Sequence, residues 1–411
     1  MVAVRSVRHV VMPVRILPHH DIGGMQAVAW DLARALVRAG VSVTVLTAAI
    51  PGRPAAFEEE GVRIRALAGH SCRHYGFGWW TATRRVFEAE LIEQCDLLFS
   101  VSAAGFGLLR FRERIPQVPF VMQAHGTSMG EVISRWRLRS VTGVLASLRN
   151  IFWIFKDLRA YPRFDAIVAV GGPVARDLAA WPTRGVVAPS RVHVIRNGID
   201  TRHFRPDRDA GRAVRAAIGW SEDLKVVICA SRLVRQKGIA LGLDAFALLA
   251  QSRRDVRYLI VGQGPQWRAL RRLALSLGIA DLVHFSGGVS REAMPAWLNA
   301  ADAMLFTTTR IEGEPLNVLE ALAVGLPAVV SRHLYRDTPP SDRLLLVEPG
   351  EPAGVAAALE RALAIPRSND GDLPRSHRAD AFIEQYLALF ESLHQASRCG
   401  TQSSTHSTIS R

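Results

Sequence analysis

The residues best suited to chemistry are two carboxylates, Glu312 and Glu320, with seven residues between them in TRIEGEPLNVLEALAVGLPAVV. The pattern from Leu316 to Val324 predicts a helix, and Leu326 to Ser331 predicts a strand. Pro315 suits the first helical position, because its fixed φ is helical and its missing N–H would have no partner there. The free amides of Leu316, Asn317 and Val318 then form a helix N-terminus, a ready site for a diphosphate. Glu312, beside Gly313, falls in the loop just before that site, and Glu320 falls about one turn inside the helix. One carboxylate can reach the hydroxyls of a sugar and the other a ribose, on either side of the diphosphate. The plainer reading is an acidic first turn, in which Glu314 and Glu320 only complement the helix dipole.

A pair of cations follows a second apolar run, in Ala230-Ser231-Arg232-Leu233-Val234-Arg235-Gln236-Lys237-Gly238. Arg232 and Lys237 at a strand end suit a pyrophosphate leaving group, which gathers negative charge as its bond breaks. Arg235 reads as ordinary surface charge. The first strand-to-helix junction, Pro18-His19-His20-Asp21-Ile22-Gly23-Gly24-Met25, carries adjacent glycines. Such a pair lets backbone approach a phosphate closely and feeds a helix N-terminus. It is not a G-x-G-x-x-G fingerprint, and a flexible turn is the plainer reading.

At these positions the chain resembles the family-4 glycosyltransferases, retaining nucleotide-sugar enzymes of the GT-B fold. Their signature is a Glu, seven residues and a second Glu, then a small-residue helix and a G-x-P strand start, seen here as Gly325-Leu326-Pro327. The Arg232…Lys237-Gly238 stretch resembles the family's G/S-R-L…K-G motif. The resemblance implies that Gly23 and Gly24 abut the donor's β-phosphate and the transferred sugar. It implies that His125, followed by Gly126 at the end of the strand Phe120–Ala124, lies near the reaction centre. There the imidazole would polarise a hydroxyl or position the sugar, although a lone His is as often structural. Gly262-Gln263-Gly264-Pro265 and Phe285-Ser286-Gly287-Gly288 would lie near the nucleotide base. Val194–Asp200, with Phe204 and Pro206, resembles the inter-domain segment, and Asn197-Gly198 predicts a sharp turn through left-handed backbone angles. After Ser331 the chain departs from the family: His333–Pro340 stands where a glycine-containing loop and an acidic residue are common.

The elements that must hold these residues alternate between short apolar runs and helical patterns, the signal of parallel sheets with crossover helices. Strands are predicted near 9–17, 41–47, 62–68, 97–101, 119–124, 165–170 and 192–196, then near 226–230, 257–261, 283–286, 303–307, 327–330 and 344–347. Helices in the second half fall near 238–250, 266–277, 291–300, 316–324 and 353–364. The expected fold class is α/β: two doubly wound Rossmann-like domains in tandem, with ligand at the carboxyl ends of their strands. The expected boundaries are 1–197 for an acceptor-side domain and 198–375 for a nucleotide-sugar domain. A helix over 376–396 crosses back to the first domain, and a Ser/Thr-rich tail over 397–411 is expected to be disordered.

Composition sets the outer bounds. The chain has 411 residues, 49% of them hydrophobic, enough to bury two cores. Its net charge is +14, and 48 of its 51 basic side chains are arginine. A basic surface favours anionic partners such as nucleotide sugars, lipid diphosphates or nucleic acid. No apolar run is long enough to span a bilayer, and Arg and His interrupt the N-terminal stretch where a signal peptide needs an unbroken one. Cys72, Cys95, Cys229 and Cys399 are far apart and read as reduced thiols of a cytoplasmic protein. Between Met129 and Arg163, arginines 135, 137, 139, 149 and 159 and Lys156 mix with Trp136, Phe152, Trp153 and Phe155. An amphipathic basic–aromatic helix there could rest on the inner face of an anionic membrane. A pair of ordinary surface helices is the alternative.

The expected activity is transfer of a hexose from a nucleoside diphosphate sugar to a hydroxyl acceptor, lipid-linked or not, with retention and without a metal or cofactor. The catalytic set is His125, Arg232, Lys237 and Glu312. The donor-binding set is Gly23, Gly24, Arg232, Lys237, Gly262, Gly264, Glu312, Gly313, Leu316, Asn317, Val318 and Glu320. Two other readings stand beside it: a nucleotide-sugar epimerase of the same architecture, and a non-catalytic basic binding protein. No nucleic-acid motif supports the last.

Overall fold

The structure, a computed structural model, describes residues 6–21, 23–69, 77–136, 152–310, 312–335 and 341–406. The chain divides into two compact units. One is built mainly from residues up to Gly198 together with the segment from Ala379 onward, the other mainly from Ile199–Arg378, with Val132–Trp136 of the described residues grouped with it.

The first unit holds an eight-stranded sheet: β1 (His9–Pro13), β2 (Ser42–Ala48), β3 (Ala56–Glu59), β4 (Val62–Leu67), β5 (Leu97–Val101), β6 (Phe120–Ala124), β7 (Ala166–Ala169) and β8 (Val192–Val194). Their order is β3-β4-β2-β1-β5-β6-β7-β8. Strands β1, β5 and β6 are buried at every position, as expected of parallel strands covered on both faces. The helices α1 (Gly24–Arg38), α2 (Phe77–Val86), α3 (Ser128–Trp136), α4 (152–160) and α5 (Gly172–Ala179) connect them. Only β3 runs antiparallel, turning back on β4 through Glu60-Gly61. Both turn residues have positive φ, 49° and 79°, which suits the twist of a two-residue hairpin. The sequence reading missed β3 because an edge strand reading Ala-Phe-Glu-Glu has little apolar alternation.

The second unit holds six parallel strands: β9 (Lys225–Ala230), β10 (Val256–Val261), β11 (Val283–Gly287), β12 (Ala303–Phe306), β13 (Ala328–Ser331) and β14 (Leu344–Val347). Their order, β11-β10-β9-β12-β13-β14, is that of a dinucleotide-binding sheet, whose direction of winding reverses between β9 and β12. Around it lie α6 (Arg208–Ala217), α7 (Ile239–Ser252), α8 (Trp267–Ser276), α9 (Met294–Asn299), α10 (Leu316–Ala323) and α11 (Pro352–Ala364). Leu243, Phe246, Tyr258, Ile260, Leu305 and Leu359 are fully buried in its core. The ends of this unit meet: Ile199 N–H donates to His377 O at 2.8 Å, and Ile199 bridges to Arg378 in parallel.

The chain returns to the first unit as α12 (Ala379–His406), a helix seated on that unit's sheet. Tyr386 and Phe390 pack edge-on against Phe99 of β5, with ring centroids 5.7 and 5.6 Å away. The helix extends past residue 396, through the stretch expected to be a disordered tail. Once nucleated, a helix gains a hydrogen bond per added residue, and Ser397 Oγ donates to Leu393 O at 3.0 Å. Residues 407–411 lie outside the described residues.

The turn expected at Asn197-Gly198 takes a different form. Neither residue has a left-handed φ. Gly198 is needed for close packing instead, since a Cβ there would stand 2.5 Å from Phe382 Cβ. Among the described residues, no helix is long and apolar enough to cross a membrane.

Candidate active site

Two loops of the second unit meet where its winding reverses, one after β9 and one after β12. Their meeting is backbone-dense. Gly238 adopts φ +67°, and a Cβ there would fall 1.9 Å from Thr307 O. Thr307 Oγ1 donates to Gly238 O at 2.8 Å, and Thr308 Oγ1 and Thr309 N–H both donate to Gln236 O. The three threonines that follow the apolar run of β12 therefore bind the Lys237 loop in place. Lys237 Nζ lies 2.8 Å from Glu312 Oε1, and each side chain is 16% exposed. The ammonium also sits 5.1 Å from the Phe306 ring centroid, a position favoured by the ring quadrupole. Thr308 Oγ1 makes the other contact of Glu312, again on Oε1. Among the described residues, Oε2 is left for a ligand. Two residues chosen for chemistry, Lys237 and Glu312, thus stand together in one unit.

Arg232 differs from Lys237. It is exposed, and among the described residues no carboxylate pairs with it. Backbone bonds fix the stretch around it: Ser231 N–H donates to Val261 O at 3.0 Å and Leu233 N–H to Gln263 O at 2.7 Å. Gly262 and Gly264 make this approach possible. A Cβ on Gly262 would fall 1.9 Å from Ser231 O, and one on Gly264 would fall 2.4 Å from Leu233 O. The first duty of these glycines is to let two strand ends touch.

The helix α10 is short and buried along nearly its whole length. It ends in a Schellman arrangement: Leu326 N–H donates to Ala321 O at 2.9 Å and Gly325 N–H to Leu322 O at 3.0 Å, with Gly325 at φ +80°. Its start corrects two expectations. Pro315 is the N-cap, with extended angles, and the first helical residue is Leu316. The Val318 amide is also occupied, by Pro315 O at 3.2 Å and by Asn317 Oδ1 at 3.1 Å. Leu316 and Asn317 supply the amides that remain for an anion, among the described residues. The side chain of Asn317 reaches across to Ala230 O at 2.9 Å, which joins the helix start to the end of β9.

Burial obliges the two inner carboxylates to find partners. Glu320, 7% exposed, pairs with Arg291 Nη1 at 3.0 Å, and the Arg291 guanidinium stacks 5.5 Å from the Phe204 ring centroid. Glu314, 8% exposed, pairs with His377 Nε2 at 2.8 Å. The sequence reading named neither Arg291 nor His377, which stand 29 and 63 residues from their partners. Phe204 was singled out, but as part of the inter-domain segment.

In the first unit, Gly23 caps α1 at φ −167°, an extended angle open to any residue, and Gly24 begins the helix. Gly23 O accepts from Ala27 N–H at 3.0 Å. His125 stands half-buried at the end of β6, with Nε2 2.8 Å from Gln123 Oε1. Burial pushes its pKa down to about 4, so the imidazole is neutral at pH 7. Ser102, at the end of the neighbouring β5, adopts φ 51°, a left-handed angle that nothing in its sequence announces.

The basic–aromatic stretch is described in part. Lys156 Nζ lies 4.1, 4.6 and 5.0 Å from the ring centroids of Trp80, Phe152 and Trp153, and desolvation lowers its pKa. That cation is therefore capped by rings, while Phe152 and Phe155 are exposed. Arg137, Arg139 and Arg149 lie outside the described residues, as do Arg336–Pro340 in the stretch that departs from the family. Cys95 and Cys229 are buried free thiols with pKa values raised by burial to about 12 and about 11.

The chain resembles known proteins in sequence and in fold. Residues 212–375 match the family profile of the glycosyl transferases group 1, and residues 22–203 match that of glycosyltransferase family 4. A GDP-mannose-dependent alpha-(1-6)-phosphatidylinositol monomannoside mannosyltransferase of Mycolicibacterium smegmatis is 38% identical over 141 residues, 33% of this chain. The match spans only 37% of that relative's length. A mannosylfructose-phosphate synthase of Agrobacterium fabrum is 27% identical over 76% of this chain and 72% of its own. Among solved structures, the sucrose-phosphate synthase of Thermosynechococcus elongatus superposes with a TM-score of 0.77 at 20% identity, covering 95% of this chain and all of that one. Anabaena HepE in complex with UDP and glucose superposes with a TM-score of 0.70 at 16% identity, covering 94% of this chain and all of that one. At such identities these likenesses establish the fold. The chain belongs to the group 1 glycosyltransferases of family 4 and carries their GT-B fold.

Proposed function

We propose that the protein transfers a hexose from a nucleoside diphosphate sugar to a hydroxyl of a glycan, lipid-linked or small-molecule acceptor, with retention at the anomeric carbon. The observation that carries this reading is the Lys237–Glu312 pair beside the start of α10, with the unpaired Arg232 on the neighbouring loop. The bond from the anomeric carbon to the β-phosphate oxygen breaks on the front face, and the acceptor oxygen bonds to that carbon on the same face. The acceptor's proton passes to the departing phosphate oxygen. Arg232, Lys237 and the amides of Leu316 and Asn317 stabilise the charge that collects there. Glu312 Oε2 holds sugar hydroxyls, Glu320 takes the ribose diol, and Gly23 and Gly24 lie along the β-phosphate. Residues are available for every role without a metal, and none is assigned one. Mannose is the first sugar to try, since relatives named as mannosyltransferases recur and three are named as GDP-mannose-dependent. The reading places the protein on the cytoplasmic side, where activated sugars are made.

A thermal-shift screen of GDP- and UDP-sugars tests it first, because a donor that binds only the folded chain raises its melting temperature. With the donor so found, Glu320→Ala should weaken nucleotide affinity by about tenfold, the loss of a good polar contact. Arg232→Ala should slow kcat by about a hundredfold with a smaller effect on donor affinity. Unchanged turnover and affinity in both variants defeat the assignment. Rearrangement of the donor with no acceptor present would instead favour the epimerase.

A further inference from the structure

We propose that Tyr386 and Gln123 are positioning residues that hold the imidazole of His125 in one tautomer, with the proton on Nε2 and the lone pair of Nδ1 offered to a hydroxyl. The role of that hydroxyl rests on the function proposed above; the clamp itself does not.

The three side chains form a line through the first unit. Tyr386 lies on the final helix and is fully buried. Its ring is wedged by Phe99, Phe382 and Phe390, with centroids 5.7, 5.0 and 5.8 Å away. Gln123 lies on β6, equally buried, and its Nε2 donates to Tyr386 Oη at 2.7 Å. A carboxamide has one donor end and one acceptor end. With Nε2 directed at the phenol, Oε1 is left facing His125 Nε2 at 2.8 Å, and an acceptor there requires that nitrogen to carry the proton. Nδ1 then holds the lone pair, and among the described residues nothing hydrogen-bonds to it. An amide turned over would exchange every role and place the proton on Nδ1, so the tautomer is the quantity to measure.

The line also explains a choice of residue. Gln at an interior strand position between two apolar neighbours, Met122 and Ala124, is a buried polar group that must be satisfied at both ends. A Leu would fill the same space. The two bonds it makes join residues 263 apart in sequence on one side and 2 apart on the other. In this way the final helix reaches a strand-end histidine through a single side chain.

Long-range 1H–15N correlation spectra of histidine-labelled full-length protein test the clamp, with His125→Asn used to assign the signal. The wild type is expected to show the Nε2–H tautomer alone. Tyr386→Phe keeps the ring packing but frees the amide, and should give a mixture of tautomers and a kcat lowered about tenfold with donor KM nearly unchanged, a small share of what a positioned proton acceptor supplies. Gln123→Met removes the clamp by a second route and should do the same. An Nδ1–H tautomer in the wild type overturns the proposal, as does a Tyr386→Phe spectrum and kcat equal to wild type. Because the spectra need no substrate, they decide the clamp even if the protein transfers no sugar. Loss of transfer by His125→Asn alone, with the tautomer as expected, bears on the function and leaves the clamp standing.

Discussion

The two units carry their candidate residues in opposite ways. In the second, the loops after β9 and β12 are bound to each other through backbone carbonyls that accept from two threonine hydroxyls and one amide, and Gly238, Gly262 and Gly264 each sit against a carbonyl. In the first, Gly23 occupies an ordinary extended angle, and the chemistry-bearing His125 is held by a side chain instead. Loops bound by backbone are arranged before any ligand arrives, so they lose little freedom on binding. A site held by side chains can be altered one residue at a time without disturbing the fold.

The largest expected effect separates the glycines. Gly262→Ala or Gly238→Ala would drive a methyl group to within 1.9 Å of a backbone oxygen, at a left-handed angle besides. Either should destabilise the second unit by about 4 kcal/mol or more, the range reserved for forced backbone and packing changes. Gly23→Ala meets only the end of the flexible Gln26 side chain, at 2.5 Å, and should change stability by no more than about 1 kcal/mol. Urea unfolding of the three variants breaks the comparison if their order is reversed. A stable Gly23→Ala that has lost donor affinity would sharpen it, by tying that glycine to a ligand.

A smaller effect distinguishes the two cations. Lys237→Met leaves Glu312 with no countercharge in a site where little water reaches it, and should lower stability by about 1–3 kcal/mol. The double variant with Glu312→Gln should recover most of that stability without recovering transfer. Arg232→Met should leave the unfolding midpoint where it was, since the side chain is exposed. Equal destabilisation by both single variants would contradict the difference in burial.

The smallest effect is one of pH. His9, His125, His193 and His284 all have pKa values lowered chiefly by burial. An unfolded imidazole takes up a proton near its ordinary value of 6.5, while folded His125 resists until about 4. Stability from His125 is therefore complete above about pH 6.5 and declines as the pH falls toward 4. His125→Asn should reduce the loss between pH 7 and pH 5 by about 1 kcal/mol, after allowing for the half-buried ring. A pH profile identical to wild type would place the acid sensitivity elsewhere.

Much of this was legible before any coordinates. Apolar runs located thirteen of the fourteen strands to within a few residues, because parallel strands buried on both faces read as continuous hydrophobic segments. The Lys237 and Glu312 motifs were legible for a related reason: both follow such strands directly. What escaped had long-range causes. Arg291 is one arginine among 48, and only folding shows that Glu320 is its partner. Tyr386 is buried core, but its hydroxyl meets Gln123 across 263 residues of chain. The Val318 amide was lost to its own neighbour, Asn317, a local contest that composition cannot score.

The meeting of Ile199 with His377 and Arg378 has a consequence for how such a chain is inherited and handled. A segment whose entry and exit lie side by side behaves as an insert: its host need only open one short gap to receive it. Cutting the gene at these two points should give a 199–378 fragment with its own sheet and core. The flanking pieces, rejoined by a brief linker, would remain a continuous host.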